Sequence, residues 1–155
     1  MKKLFAILVL AISIIGVIPQ LSQPSSAKPL TSAPIVKASL GSLMTELETN
    51  VKWGAVYGNW KKRRDSWLVD CQRANSAQKL GALLAEFESN VTWEMVEAGW
   101  RKRRDSWVAD CQRTTTAGQV AALLLELESN MKWASVTPAW KTRRDGWIRE
   151  VSAAR

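Results

Sequence analysis

The chain has no histidine and only two cysteines, and this scarcity narrows the chemistry that it can perform. Histidine is the side chain that most often serves as a general base or a metal ligand. Cys71 and Cys111 cannot make a metal site without further ligands. The sequence also has no glycine-rich phosphate loop and no nucleophile paired with a base. We therefore predict a protein that is not an enzyme and that binds no cofactor or metal ion.

The first 27 residues have the pattern of a secretory signal peptide. Two lysines precede an apolar run over residues 4–18, and small residues at positions 25–27 are typical of a cleavage site. A membrane-spanning helix needs about 20 apolar residues, and this run is shorter. We therefore favour cleavage after Ala27 over an uncleaved membrane anchor. We expect an exported protein, periplasmic or secreted, with no transmembrane span after cleavage.

The chain is basic, with a formal charge of +8 that falls to +6 when Lys2 and Lys3 leave with the signal. A positive charge on an exported protein favours acidic partners, such as anionic lipid head groups or acidic polymers of the cell envelope. Export disfavours nucleic acid as the natural partner. Residues 28–37 are rich in proline and small polar side chains, which predicts a short flexible lead into the folded part.

The strongest pattern is a tandem repeat with a period of 40 residues. Three copies align over residues of about 38–77, 78–117 and 118–155, so we predict that residues 38–155 form one repeat domain. Eleven positions are identical in all three copies, and they include all nine tryptophans. The period and the signature residues differ from those of tetratricopeptide and ankyrin repeats.

Each copy divides into two predicted helices, which we call helix A and helix B. The apolar residues of helix A follow the spacing i, i+3, i+4, i+7 and i+11, which indicates one buried stripe on an amphipathic helix. Hydroxyl and amide side chains before the second and third A helices are candidate caps. In the first copy the stripe consists of Leu40, Leu43, Met44, Leu47 and Val51.

Helix B is expected to begin between Val56 and Tyr57 in the first copy and between Val136 and Pro138 in the third. Proline has no backbone donor and is tolerated only in the first helical turn, so it limits how early the helix can start. Short connections between successive helices favour antiparallel packing. We therefore predict an all-α protein of three helix-hairpin repeats, stacked either as a short α-solenoid or as a six-helix bundle.

The tryptophans and the second arginine of each Arg-Arg-Asp triplet are predicted to form the structural core of the repeats. An aromatic stripe at helical spacing usually packs, and an arginine within it can stack on indole faces while pairing with a carboxylate. The alternative is a surface on which sugars or planar ligands stack, which requires at least one exposed tryptophan in each copy. The predicted core residues are Trp53, Trp60, Arg64, Trp67, Trp93, Trp100, Arg104, Trp107, Trp133, Trp140, Arg144 and Trp147.

The basic residues near the start of helix B are the candidate ligand- or anion-binding residues. Such runs are usually solvated helix faces. If the copies stack regularly, the basic runs align into a ladder that can face a polyanion. The candidates are Lys61, Lys62, Arg63, Arg101, Lys102, Arg103, Lys141 and Arg143.

Cys71 and Cys111 occupy equivalent positions, and Val151 replaces them in the third copy. A small buried thiol that is exchangeable with valine explains this pattern. Equivalent residues on packed helices lie about 8–10 Å apart, whereas a disulfide needs Cα atoms within about 7 Å. Two free thiols, or a link between chains, are therefore favoured over a bridge within the chain.

These observations favour a non-catalytic binding or interaction module whose partner is a protein or an envelope polymer. One alternative is a basic protein that binds anionic lipid head groups or acidic polysaccharide. A second alternative is a binder of small ligands or sugars that uses its tryptophans. The sequence fixes neither the ligand nor the oligomeric state.

Overall fold

The computed structural model describes residues 39–154, and this part of the chain is helical, as predicted. The predicted signal peptide and flexible lead lie outside the described residues. Each copy contributes one A helix and one B helix. The helices are α1 (Leu40–Asn50), α2 (Trp60–Arg73), α3 (Ala77–Ser89), α4 (Trp100–Gln112), α5 (Ala117–Asn130) and α6 (Pro138–Ala153).

The A helices begin at side-chain caps. The Ser76 hydroxyl accepts a hydrogen bond from the backbone N–H of Lys79, three residues into the helix. In the third copy Thr116 and Gln119 form a capping box, in which each side chain bonds the backbone of the other residue. These contacts satisfy backbone donors that have no partner within the helix.

The B helix of the first copy begins later than the sequence predicts, at Trp60, and that of the second copy begins at the equivalent Trp100. The correction has a physical cause. Val56 is extended and forms an antiparallel backbone bridge with Val91 of the second copy, so it cannot enter a helix. In the third copy the helix begins at Pro138, within the predicted bounds.

The three copies close into a ring. The A helices α1, α3 and α5 contact one another at the centre, and each B helix packs between its own A helix and that of the next copy. The indole N–H of Trp67 donates to the backbone oxygen of Leu83 in the second copy over 2.9 Å. Trp147 of the third copy donates in the same way to Leu43 of the first, also over 2.9 Å. An open solenoid has no such returning contact, so the six-helix bundle is the fold.

The connections between the A and B helices form a second closed ring at one end of the bundle. Each connection contains a short 3₁₀ helix: Trp53–Ala55, Trp93–Met95 or Trp133–Ser135. Backbone bridges join the connections in a cycle, from Val56 to Val91, from Val96 to Met131 and from Val136 to Val51. We call residues 51–62, 91–102 and 131–142 the loop end.

The two cysteines are buried free thiols, one in α2 and one in α4. The helices of a copy approach closely beside them: a Cβ added to Gly41 would lie 2.1 Å from the backbone oxygen of Cys71. Because both thiols are buried, a disulfide between two chains, which the sequence allowed as an alternative, is disfavoured.

Candidate binding surface at the loop end

The nine tryptophans fall into two groups. The two tryptophans of each B helix are buried, and within a copy they form an edge-to-face pair, as in Trp60 and Trp67 with ring centroids 5.5 Å apart. The prediction that the remaining three belong to the core is wrong. Their side chains are 50%, 37% and 52% exposed at Trp53, Trp93 and Trp133, respectively. They lie in the 3₁₀ helices, where the extended residue at position 56, 96 or 136 separates them from the buried stripe of helix B.

Each exposed indole rests on two cations of its own B helix. The Arg64 guanidinium carbon lies 5.3 Å and the Lys61 ammonium 5.6 Å from the ring centroid of Trp53. Residues three apart on a helix are neighbours, so both cations reach the ring from the side of α2. About half of the Trp53 and Trp133 side chains, and somewhat less of Trp93, remains exposed to solvent. The equivalent cations are Arg101 and Arg104 beside Trp93, and Lys141 and Arg144 beside Trp133.

The second arginine of each triplet is held in place by a buried carboxylate. Glu48 is 4% exposed and accepts hydrogen bonds from Trp60 Nε1 at 3.0 Å and from Arg64 Nε at 2.8 Å. Because donors satisfy the buried charge, the ion pair joins α1 to α2 without an uncompensated carboxylate. Arg64 is itself partly buried and links the core to the exposed Trp53. Glu88 and Glu128 form the equivalent ion pairs with Arg104 and Arg144, although of these two only Glu128 accepts hydrogen bonds from its arginine on both carboxylate oxygens.

The first arginine of each triplet pairs with carboxylates of the protein itself. The prediction that this arginine binds external anions is therefore wrong. Arg63 Nε lies 2.6 Å from Glu86 of the next copy, and Nη2 lies 2.8 Å from Asp70. Hydrogen bonds that Arg63 donates to Glu86, and to a smaller extent to Asp70, raise the pKa of Arg63 above its usual range. The pair with Glu86 fastens the first copy to the second. Arg103 pairs with Glu126 and Asp110 in the same way, and Arg143 with Glu46 and Glu150.

The other five predicted basic residues are exposed at the loop end. None of them forms a salt bridge within residues 39–154, so their charge faces solvent. The five are Lys61, Lys62, Arg101, Lys102 and Lys141.

Two further lysines belong to this surface and were missed from the sequence. The Lys52 ammonium donates to the backbone oxygen of Ala134 at 3.0 Å, and the Lys132 ammonium donates to the backbone oxygen of Glu94 at 2.9 Å. Each immediately precedes the exposed tryptophan of its copy. Their position next to a repeated tryptophan could have identified these lysines from the sequence. The second copy, however, has Thr92 at the equivalent position, so the lysine is not shared by all three copies.

The three loop-end sites differ in acidic neighbours. Glu94 follows Trp93 directly in the chain and is exposed. Glu97 lines a small pocket of about 150 Å³ together with Trp133 and Arg144. The equivalent residues near Trp53 are uncharged: Gly54 is equivalent to Glu94, and Thr137 is equivalent to Glu97.

One comparison with known proteins gives a match. Residues 78–141 match a family model described as a domain of unknown function (DUF8799). The match covers α3, α4 and α5 and ends in the first turn of α6, so it includes Trp93 and Trp133 but not Trp53. No curated protein and no solved structure matches the chain. Over residues 39–154, none of the helices has the length and apolar character required to cross a membrane.

Proposed function

We propose that the protein is an exported, non-catalytic binding module that holds a protein or polymer of the cell envelope at its loop end. The observation that carries this proposal is that every copy has one exposed tryptophan, with 37–52% of its surface accessible. Large aromatic side chains stabilise a fold most when they are buried, and an exposed group of them commonly marks a binding surface. Here the same exposure recurs three times, each time beside unpaired cations.

The ring supports a partner that is extended or repetitive. The three indoles occupy equivalent positions around one end of the bundle, so a polymer or a broad protein surface can contact more than one of them. Linked contacts of this kind raise the overall affinity well above that of one site, without new interactions. A small ligand gains nothing from the repetition.

Anionic lipid head groups are the second candidate, because the exposed lysines and arginines also suit a negatively charged membrane surface. Each exposed indole, however, is held by contacts with two cations of its own B helix. A ring held in this way offers a flat face for stacking. This arrangement favours a ligand that lies on the surface over insertion of the indoles into a bilayer.

The proposal is tested by co-sedimentation of the purified mature protein with washed envelope fragments of the producing organism. We expect the unaltered protein to sediment and the triple variant Trp53→Ala, Trp93→Ala, Trp133→Ala to remain in solution. A matched control removes the exposed charge of Asp65, Asp105 and Asp145 by substitution with asparagine and should sediment normally. If the unaltered protein stays in solution, or if the triple variant sediments equally well, the proposal is wrong.

Export is tested separately. The signal pattern predicts that the protein outside the cytoplasm begins at Lys28, as determined by N-terminal sequencing or intact mass. Replacing Leu10 with arginine interrupts the apolar run and should leave the chain unprocessed. An unprocessed chain in the cytoplasm of cells that make the unaltered protein would contradict export.

A further inference from the structure

We infer that the polymer is an acidic polysaccharide and that the Trp53 site is its principal binding site. This inference rests on the proposed function and narrows it to one class of ligand. A sugar ring carries a face of C–H groups that can pack on an open indole face. A carboxylate or sulfate on the same ring can pair with a neighbouring ammonium group. The loop end offers both kinds of contact side by side.

The Trp53 site combines a half-exposed indole with a local excess of positive charge. Lys61 lies at the ring, and the exposed Lys62 follows it in the first turn of α2. Lys52 directly precedes the tryptophan in sequence, but its ammonium donates to the backbone oxygen of Ala134 and so lies on the connection of the third copy. A polyanion that lies on the Trp53 indole therefore meets Lys61 at the ring, with the exposed Lys62 in the same helical turn.

The ring geometry explains why the Trp53 site is favoured over its two equivalents. Each connection donates a backbone hydrogen bond to the A helix of the next copy, which brings residue 57, 97 or 137 beside its neighbour's site. Thr137 is placed beside the first copy in this way, and its hydroxyl also donates to Asn50 Oδ1 at 2.7 Å. In the same position Glu97 brings a carboxylate to Trp133, and Glu94 stands next to Trp93. Among the three sites within residues 39–154, the Trp53 site therefore has the weakest repulsion for an anionic ligand.

The charge pattern also separates an acidic polysaccharide from a neutral one. A neutral glycan would use the indole faces alone and would bind equally at low and high salt. A polyanion also uses the lysines, so salt must weaken its binding by screening the exposed charges. The cations around each indole select for the polyanion.

The experiment titrates the mature protein with polygalacturonate, with neutral dextran and with vesicles of phosphatidylglycerol, following protection of the exposed indoles from acrylamide quenching. We expect polygalacturonate to protect the indoles at low salt, with the effect lost at high salt, and dextran to have no effect. Absence of protection by polygalacturonate, or protection by the vesicles or dextran alone, would overturn the inference. Normal co-sedimentation with envelope fragments in that case would leave the proposed function in place, so the two failures are distinguishable.

The principal site is tested by giving Trp53 the acidic neighbour that Trp93 already has. In Gly54→Glu the new side chain enters open space, since no atom lies within 4 Å of a Cβ at this position. We expect its affinity for polygalacturonate to fall roughly fivefold, the upper range for one exposed charge pair. The control Gly99→Glu also enters open space and adds the same charge to the loop end of the second copy, which already has Glu94 and Glu97, so it should have a smaller effect. Equal losses in the two variants would overturn the assignment of Trp53 as the principal site.

Discussion

Trp53 and Trp60 are seven residues apart and recur identically in every copy, yet one is half-exposed and the other is buried. Trp60 packs against Trp67 and against Phe87 of the next copy, with its ring nitrogen bonded to Glu48. Trp53 contacts two cations and keeps half of its side chain exposed. Identity between the copies therefore does not show whether a repeated residue serves folding or binding. The predictions below separate the two roles by their cost in stability.

The largest loss of stability is expected for Trp60→Ala. The substitution empties a fully enclosed site and removes the indole donor to a buried carboxylate, and such truncations usually cost about 3–5 kcal/mol. Chemical denaturation of the mature protein measures the free energy of unfolding. The control Lys62→Ala, on the same helix but exposed, should cost almost nothing. A cost for Trp60→Ala as small as that of the control would remove this indole from the core.

A smaller loss is expected for Glu48→Gln, which keeps the shape of the side chain but removes its charge. Trp60 and Arg64 both donate to this carboxylate, and hydrogen bonds to charged groups contribute about 1.5–3 kcal/mol. The result is sharpened by a double-mutant cycle with Arg64→Met, in which the coupling between the two positions should account for most of the cost. Independent effects would mean that the ion pair does not join α1 to α2. Lys62→Ala, which removes an exposed side chain with no salt bridge within residues 39–154 from the same helix, serves as the neutral control.

Alkaline pH should destabilise the core through its two thiols. Burial raises the pKa of Cys71 and of Cys111 to about 12, from an ordinary value of about 9. Between these pH values the unfolded chain has lost the thiol proton while the folded chain keeps it. The stability is therefore complete below about pH 9 and falls as the pH rises towards 12, by up to about 1.4 kcal/mol per pH unit for each thiol.

The comparison variant replaces both cysteines with valine, the residue that the third copy has at position 151. Urea unfolding at about pH 8 and about pH 10 should show a loss of stability in the unaltered protein that is smaller in the variant. Other groups titrate in this range in both proteins, so the difference between them isolates the thiols. Equal losses would show that the thiols do not titrate differently in the folded and unfolded chains.

The sequence was sufficient for the helices but not for the ring. The apolar spacing and hydroxyl caps of the A helices are local signals, and α1, α3 and α5 follow them. Closure depends instead on whether Arg143 meets the Glu46 of the first copy or faces solvent. Because every copy carries the same arginine and the same glutamate, an open stack and a closed ring have the same sequence pattern. The rotation from one copy to the next decides between them.

The candidate site was only partly predictable for a related reason. Arg63 and Arg64 are adjacent and project about 100° apart on the helix, so one reaches the next copy while the other reaches its own A helix. The amino-acid sequence does not distinguish these two partners, since carboxylates that can pair with an arginine lie on both helices. The exposure of Trp53 likewise depends on the late start of α2. That start is fixed by the bridge from Val56 to Val91, a contact between copies rather than a local preference.

The smallest loss of stability is expected for Trp53→Ala, which removes the exposed indole and its two cation contacts. Exposed contacts of this kind contribute about 0.5–1 kcal/mol each, and Arg64 keeps its partner Glu48 in the variant. The free energy of unfolding should therefore fall far less than in Trp60→Ala, while protection by polygalacturonate is weakened more than in Trp93→Ala. If Trp53→Ala destabilised the protein as strongly as Trp60→Ala, the exposed indole would be a structural cover over the buried ion pair. Its recurrence in every copy would then be explained by folding, and the case for a binding surface would lose its main support.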